Sequence, residues 1–281
     1  LATICVGRGH HQAAFTAPSA DAPQVPRRAF ISNLKDGTLS VIGNDPADSD
    51  TYLKCIETIC LCEPDKESQP NVTTPNNAFP HGLVFSPLTG KVYNLNNGYG
   101  TVAIIDPVTL KIEKRLAFKG HSNLFIAHQG RYVIGRGADR KRDAHHVIAK
   151  LSVLDVTTLQ VVDTLDIPDI YISKYYFNSD ASKLYLTTSV SGNPEQQHNL
   201  KTDVVAVLDM RALPKLKLCA ELRLGAVGGL AFYPEQGTPR YVFASHAQAG
   251  ELIVLDAAHD RELQRISVNK PVEYSRIWLV T

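Results

Sequence analysis

The chain has 281 residues, 44% of them apolar, with 29 basic against 28 acidic side chains and a formal net charge of +1. That balance excludes a disordered polyelectrolyte and gives no global field to draw in nucleic acid or an anionic membrane. No apolar run approaches the roughly 18 residues that a membrane-spanning helix needs.

Leu1 begins inside a strand-like run, Ala2-Thr3-Ile4-Cys5-Val6-Gly7, with no initiator methionine or signal peptide. The expectation is a fragment. Residues 1–7 would end a preceding repeat, and Arg276-Ile277-Trp278-Leu279-Val280-Thr281 would open a following one. Between them a short β-rich run recurs. Its copies are Gly37-Thr38-Leu39-Ser40-Val41-Ile42, Gly100-Thr101-Val102-Ala103-Ile104-Ile105-Asp106 and Ala149-Lys150-Leu151-Ser152-Val153-Leu154-Asp155. Two more are Asp203-Val204-Val205-Ala206-Val207-Leu208-Asp209 and Gly250-Glu251-Leu252-Ile253-Val254-Leu255-Asp256. Most copies end in an aspartate that can start an Asx-type turn.

A further strand is predicted after four of these runs, at 111–118, 160–167, 217–224 and 262–268. An aromatic-rich strand precedes each run, at 28–32, 91–95, 131–134, 183–187 and 240–245. Before that comes a strand anchored by Phe15, Phe85, Phe125, Phe177 or Phe232. Four antiparallel strands per unit of roughly 40 to 55 residues is the signature of a propeller blade. The fold class is therefore all-β, a β-propeller with five complete blades. Residues 1–281 are expected to form one propeller domain lacking N- and C-terminal portions. Unequal spacing of the anchors places insertions in loops.

Phe30-Ile31-Ser32-Asn33, followed by Asp36-Gly37-Thr38-Leu39-Ser40-Val41-Ile42, resembles the YVTN-type repeats of seven-bladed propellers. The resemblance covers most of the chain and implies seven blades in the intact protein. Its motifs are structural and host many functions. Where that family places a proline at the start of the inner strand, only Pro80 survives, and histidine opens the strand in three units.

Those histidines follow one pattern, His, three residues, aromatic: His11 to Phe15, His81 to Phe85, His121 to Phe125, with His10 an extra member. Ser173 and Gly228 take the position in the fourth and fifth units. Strand order within a blade puts His10, His11, His81 and His121 on the connections that lead into the first strand. His145, His146 and His198 fall in insertions between second and third strands, and His246 ends a second strand. All histidines except His128 and His259 thus belong to one end of the blades. Imidazole suits copper, zinc, iron and nickel, and no carboxylate shares the repeat position, which leans away from calcium and magnesium. The metal-ligand candidates are His10, His11, His81, His121, His246, His145 and His146. The competing reading is duplication of one structural histidine.

A His-His pair followed by single histidines from successive blades is similar to the pattern in propellers of the nitrous oxide reductase and thiocyanate dehydrogenase type. The resemblance implies a copper centre at the channel mouth, with His10, His11, His81, His121 and His246 as ligands. This chain departs from them in its uneven spacing and in lacking a CuA-type segment. Another transition metal, or haem as in d1-type propellers, is the alternative cofactor. Lys174 and Arg8 flank the histidine positions, as does Lys119, and could attract an anionic substrate or axial ligand. The functional expectation is a periplasmic or extracellular redox propeller with a redox partner protein or a small anionic substrate. A non-enzymatic scaffold within an oligomer or larger complex is the alternative from another class.

The remaining signals are weaker. Cys5, Cys55, Cys60, Cys62 and Cys219 contain no CxxC or CxxCH. They read as strand-packing thiols, with a disulfide from Cys55 to Cys60 or Cys62, or a soft-metal site, as alternatives. Glu63–Asn77 is a Pro/Asn/Thr-rich insertion, read as a lid, and Asn71-Val72-Thr73 matches a glycosylation sequon. The basic loop 136–143 suits solvent or an acidic electron-transfer partner. No GxSxG, P-loop or HExxH occurs, and aromatic interleaving for nucleic acid is absent.

Overall fold

A computed structural model describes residues 3–67, 74–190 and 193–268. Among these residues twenty strands form five four-stranded sheets, each in sequence order. The first contains β1 (His10–Thr16), β2 (Arg28–Asn33), β3 (Thr38–Gly43) and β4 (Cys55–Cys60). The second contains β5 (Pro80–Ser86), β6 (Lys91–Asn96), β7 (Thr101–Ile105) and β8 (Ile112–Ala117). The third contains β9 (Asn123–Ala127), β10 (Tyr132–Asp139), β11 (Ile148–Asp155) and β12 (Gln160–Pro168). The fourth contains β13 (Ile172–Phe177), β14 (Lys183–Thr188), β15 (Val204–Asp209) and β16 (Lys217–Arg223). The fifth contains β17 (Gly229–Tyr233), β18 (Tyr241–His246), β19 (Glu251–Asp256) and β20 (Arg261–Ser267). The repeated meander is the propeller blade read from the sequence. The α-helix among the described residues is the single turn α1 (Pro194–Gln197).

Two compact units are present: Leu1–Gly137 with Leu151–Val162, and Ala138–Lys150 with Asp163–Thr281. In the first unit, sheets one and two enclose Phe30, Leu39, Val41, Leu83, Val92, Ala103 and Ile105. Tyr93, Leu95, Val102, Ile104, Leu124 and Val133 form the next apolar layer. In the second unit, Val205, Val207, Val242, Ala244, Ile253 and Leu255 do the same. Middle strands are buried on both faces, so they read as continuous apolar runs, as in Val204–Asp209. Outer strands alternate, as in Lys217–Arg223. Each fully buried Leu or Phe stabilises by about 1.5–3 kcal/mol.

The aspartate-led turns form as expected. Oδ1 of Asp106 accepts from the Val108 and Thr109 amides at 2.7 and 3.0 Å. Asp155, Asp209 and Asp256 accept in the same way from Thr157, Arg211 and Ala258.

Several expectations need correction. Residues 3–7 form no strand, and 276–281 lie outside the described residues, as does the sequon. All five cysteines are free, and Cys5, Cys55, Cys60 and Cys219 are exposed rather than packed between strands. Phe15 occupies an anchor position but is 62% exposed.

The insertion after β4 is pinned at both of its described ends. Glu67 accepts from the Asn77 amide and side chain at 2.8 Å each, and from the Tyr99 hydroxyl. Glu63 is buried, with Oε1 accepting from Thr101 Oγ1 at 2.5 Å and Asn96 Nδ2 at 3.3 Å. Lys66 lies 2.7 Å from its other oxygen, and Arg115 lies 3.5 Å from Oε1. Burial pushes the Glu63 carboxyl up, but the bonds from Lys66, Thr101 and Asn96 outweigh it and hold it below the usual range.

Glu63→Ala leaves two buried donors without an acceptor, so it should cost about 2–4 kcal/mol of unfolding free energy. Glu63→Gln keeps an acceptor and should cost about 1–2 kcal/mol. Urea titrations with unchanged m-values would show this ranking; equal costs would mean the acceptor geometry is immaterial.

Candidate functional site

Two of the histidines that open inner strands stand at backbone irregularities. Between β5 and β6 the register passes from Pro80↔Asn96 to Gly82↔Leu95, leaving His81 as the extra residue of a bulge. Between β1 and β2 it passes from His10↔Asn33 to Ala13↔Ile31, so His11 and Gln12 lie within the irregular stretch. Bulges re-aim side chains out of the pleat. These two bring a pair of imidazoles together: the His11 and His81 ring centroids are 3.7 Å apart, tilted by 36°.

Two bonds join these segments. His11 Nδ1 lies 2.9 Å from the His81 carbonyl oxygen. A carbonyl only accepts, so Nδ1 of His11 is the donor, and in the neutral ring Nε2 holds the lone pair. Two residues on, the Leu83 amide donates to Gln12 Oε1 at 3.3 Å. Gln12 is itself held on Ser32, whose hydroxyl accepts from the Gln12 amide at 3.0 Å. Sequence reasoning missed Gln12, which has no counterpart in the repeat pattern to mark it.

His81 is half-buried, and its Nδ1 is buried without a hydrogen-bond partner. Burial is the main cause that drives its pKa down to about 4, with the charges of His11 and Arg136 adding to it. A hydrogen bond with the Ser122 backbone acts the other way. Nδ1 is thus the ring nitrogen left without a partner. The lowered pKa favours the neutral ring near neutral pH, with one buried nitrogen unpartnered.

His121 holds the same repeat position but points elsewhere. It is 5% exposed and stacks on Phe118, with ring centroids 4.2 Å apart. Its Nε2 is 3.0 Å from Ser152 Oγ, and its Nδ1 is 3.5 Å from the Phe118 carbonyl. Ligating a metal would require breaking that Ser152 bond. His10 is exposed at the start of β1.

The other candidates belong to the second unit. His146 Nδ1 pairs with Asp169 Oδ1 at 2.7 Å, which raises its pKa. His145 is exposed, its amide bonded to Asp143. His246 ends β18 with Nδ1 3.5 Å from Glu251 Oε2. Lys174 Nζ donates to the Gly228 carbonyl at 3.0 Å. In the first unit, Arg8 is tied to Asp36 at 2.6 Å. Among the described residues no group of three or more His, Cys, Asp or Glu side chains is arranged to hold a metal ion. None of the described helices is long and apolar enough to cross a membrane.

No protein-family model matches the chain, and no curated protein matches it either. Among solved structures it is similar to Kuenenia stuttgartiensis hydrazine synthase, with a TM-score of 0.56 and 14% identity. The match covers 91% of this chain and 74% of that one. The likeness is one of fold, and it agrees with five propeller-like sheets.

The His81 environment predicts an acid-sensitive contribution to stability. Its folded pKa of about 4 lies below the ordinary 6.5. Between those values the unfolded chain binds a proton that the folded chain refuses. Stability is therefore lost as the pH falls from 6.5 towards 4, and no further loss from this group follows below that. Solvent access keeps the slope below the one-proton ceiling of about 1.4 kcal/mol per pH unit. Subtracting the pH profile of His81→Gln from that of the parent should isolate this slope. Parallel profiles would show that the ring protonates freely.

Proposed function

We propose that this chain is the propeller module of a redox protein, periplasmic or secreted, in which His11 and His81 bind a transition metal ion, copper by preference. What carries the proposal is the buried, unpartnered Nδ1 of His81 beside His11. A metal ligand must present a neutral imidazole with a free lone pair and a fixed ring. The residues present fit this requirement. His81 offers Nδ1, and His11 offers Nε2 while its other nitrogen is fixed by a carbonyl. Gln12 holds β1 against the Leu83 amide and so sets the separation of the two rings. Paired imidazoles without a carboxylate at the same position disfavour calcium and magnesium.

A bound copper ion would supply one-electron chemistry or Lewis acidity. The chain's own part is to hold two neutral nitrogens in place and to keep the His81 side from solvent. Further donors would come from substrate, solvent or a partner, because the described residues supply two imidazoles and no third group. His10 is the nearest in sequence. The YVTN-type repeat, a seven-blade ring and the likeness in pattern to multicopper propellers belong to the same reading. The shared fold with hydrazine synthase gives it general support.

A non-enzymatic scaffold is the second reading. It is favoured by the turning of His121 into the core, bonded to Ser152.

Elemental analysis after loading with copper sulfate and exhaustive dialysis should find about one copper per chain, and the absorption spectrum should lack a haem band. His11→Ala and His81→Ala should each weaken copper binding at least tenfold, about 1.4 kcal/mol. His121→Ala should lower thermal stability while folded protein still binds copper. A parent protein that emerges metal-free would leave the scaffold reading standing.

A further inference from the structure

The connection between β10 and β11 is built in an unusual way for an exposed basic loop. Asp139 Oδ1 accepts from the Lys141 and Arg142 amides, each at 3.0 Å. Asp143 Oδ1 accepts from the His145 and His146 amides at 2.8 and 3.2 Å. Two successive Asx turns therefore take up four of the loop's N–H groups.

The carbonyls are gathered by other residues. Gln196, on the single-turn helix α1 between β14 and β15, is fully buried. Its Nε2 donates to Arg140 O at 3.0 Å and Asp143 O at 3.1 Å, and lies 3.5 Å from His146 O. Asn199 Nδ2 adds a bond to the His145 carbonyl at 3.2 Å. Asp169 completes the clasp: its amide donates to Val147 O at 2.7 Å, its carbonyl accepts from the Lys201 amide at 2.8 Å, and its carboxylate holds His146.

With much of its backbone bonded to Asp139, Asp143, Gln196, Asn199 and Asp169, the loop leaves several side chains in solvent. Arg140, Lys141 and His145 are exposed. Arg142 is answered by Asp166 at 2.8 Å and Asp139 at 3.4 Å. Neither Arg140 nor Lys141 has an acidic partner among the described residues. The Arg140 guanidinium is steadied over the Tyr171 ring at 5.5 Å from its centroid.

A buried amide that donates to two carbonyls holds this loop in one conformation. Holding cations in fixed positions cuts the ordering cost of binding an opposite charge. We propose that this loop is a preformed docking surface for an acidic peptide segment of a partner protein, read by Arg140, Lys141 and His145. Carboxylates spaced along an extended chain match the adjacent cations Arg140 and Lys141, with the exposed His145 imidazole beside them on the same turn. Nucleic acid fits less well, because the row is short and no exposed aromatic platform accompanies it.

The test uses the full chain and a synthetic oligoglutamate peptide, with titration calorimetry at low and at high ionic strength. The peptide should bind at low salt and weaken as salt screens the charges. Arg140→Gln with Lys141→Gln should weaken binding roughly tenfold. Gln196→Ala should also weaken it several-fold, although it changes no charge and lies below the surface. If Gln196→Ala fails to fold, Asn199→Ala removes one clasp bond and should act in the same direction. Undetectable binding at low salt overturns the proposal. So does a clasp variant with parental affinity, or tighter binding of phosphatidylserine vesicles or an oligonucleotide at the same charges.

Discussion

Everything in this fold depends on the two-sided burial of the middle strands. A strand such as β7, buried at every position, has no polar face. Alternation of apolar and polar residues therefore cannot set its register, since a slip by one residue exposes nothing new. The register has to be fixed at the strand ends. The aspartate turns do this through side-chain bonds to the backbone after Asp106, Asp209 and Asp256. A second marker accompanies each of them. The pairing of third with outer strand shifts just before the turn, at Ile104/Ile105, Val207/Leu208 and Val254/Leu255. Sheet one has the same shift at Val41/Ile42 without the aspartate, so the bulge is the more general device.

That dependence explains what was legible in the sequence. The strands and their order could be read because apolar runs and turn residues recur at matching positions. The site was legible only as far as backbone position goes. His11, His81 and His121 occupy one repeat position, yet only the first two lie in irregular strand pairings. β9 pairs with β10 without a shift, and it begins after His121. Gly135 opposite gives room: a Cβ there would fall 2.2 Å from the Phe118 ring and 2.9 Å from the His121 ring. The ring therefore enters the core. A bulge leaves little trace in a single sequence, and neither does a glycine that makes space across a sheet.

Glu63 and Phe15 show the same limit in other forms. Glu63 sits in a stretch whose composition reads as a surface insertion, and its partners Asn96 and Thr101 come from far along the chain. No local pattern announces such a bond. Phe15 has the sequence position of Phe125, which is 2% exposed. The pattern tells which face a side chain takes but not whether another layer covers that face.

The state of the His11–His81 pair bears most directly on function. Two imidazoles 3.7 Å apart cannot both be charged without strong repulsion, and burial of His81 opposes its protonation further. A histidine kept purely for structure usually has both nitrogens satisfied, as His121 does with Ser152 and Phe118. His81 instead keeps a buried nitrogen with no partner. Leaving a buried acceptor unsatisfied costs about 1–3 kcal/mol. The fold bears that cost at a bulge and bridges the two segments through Gln12 to maintain it. An electrophile at that nitrogen, such as the metal ion proposed above, would remove the cost, whereas His121 has no such nitrogen to offer.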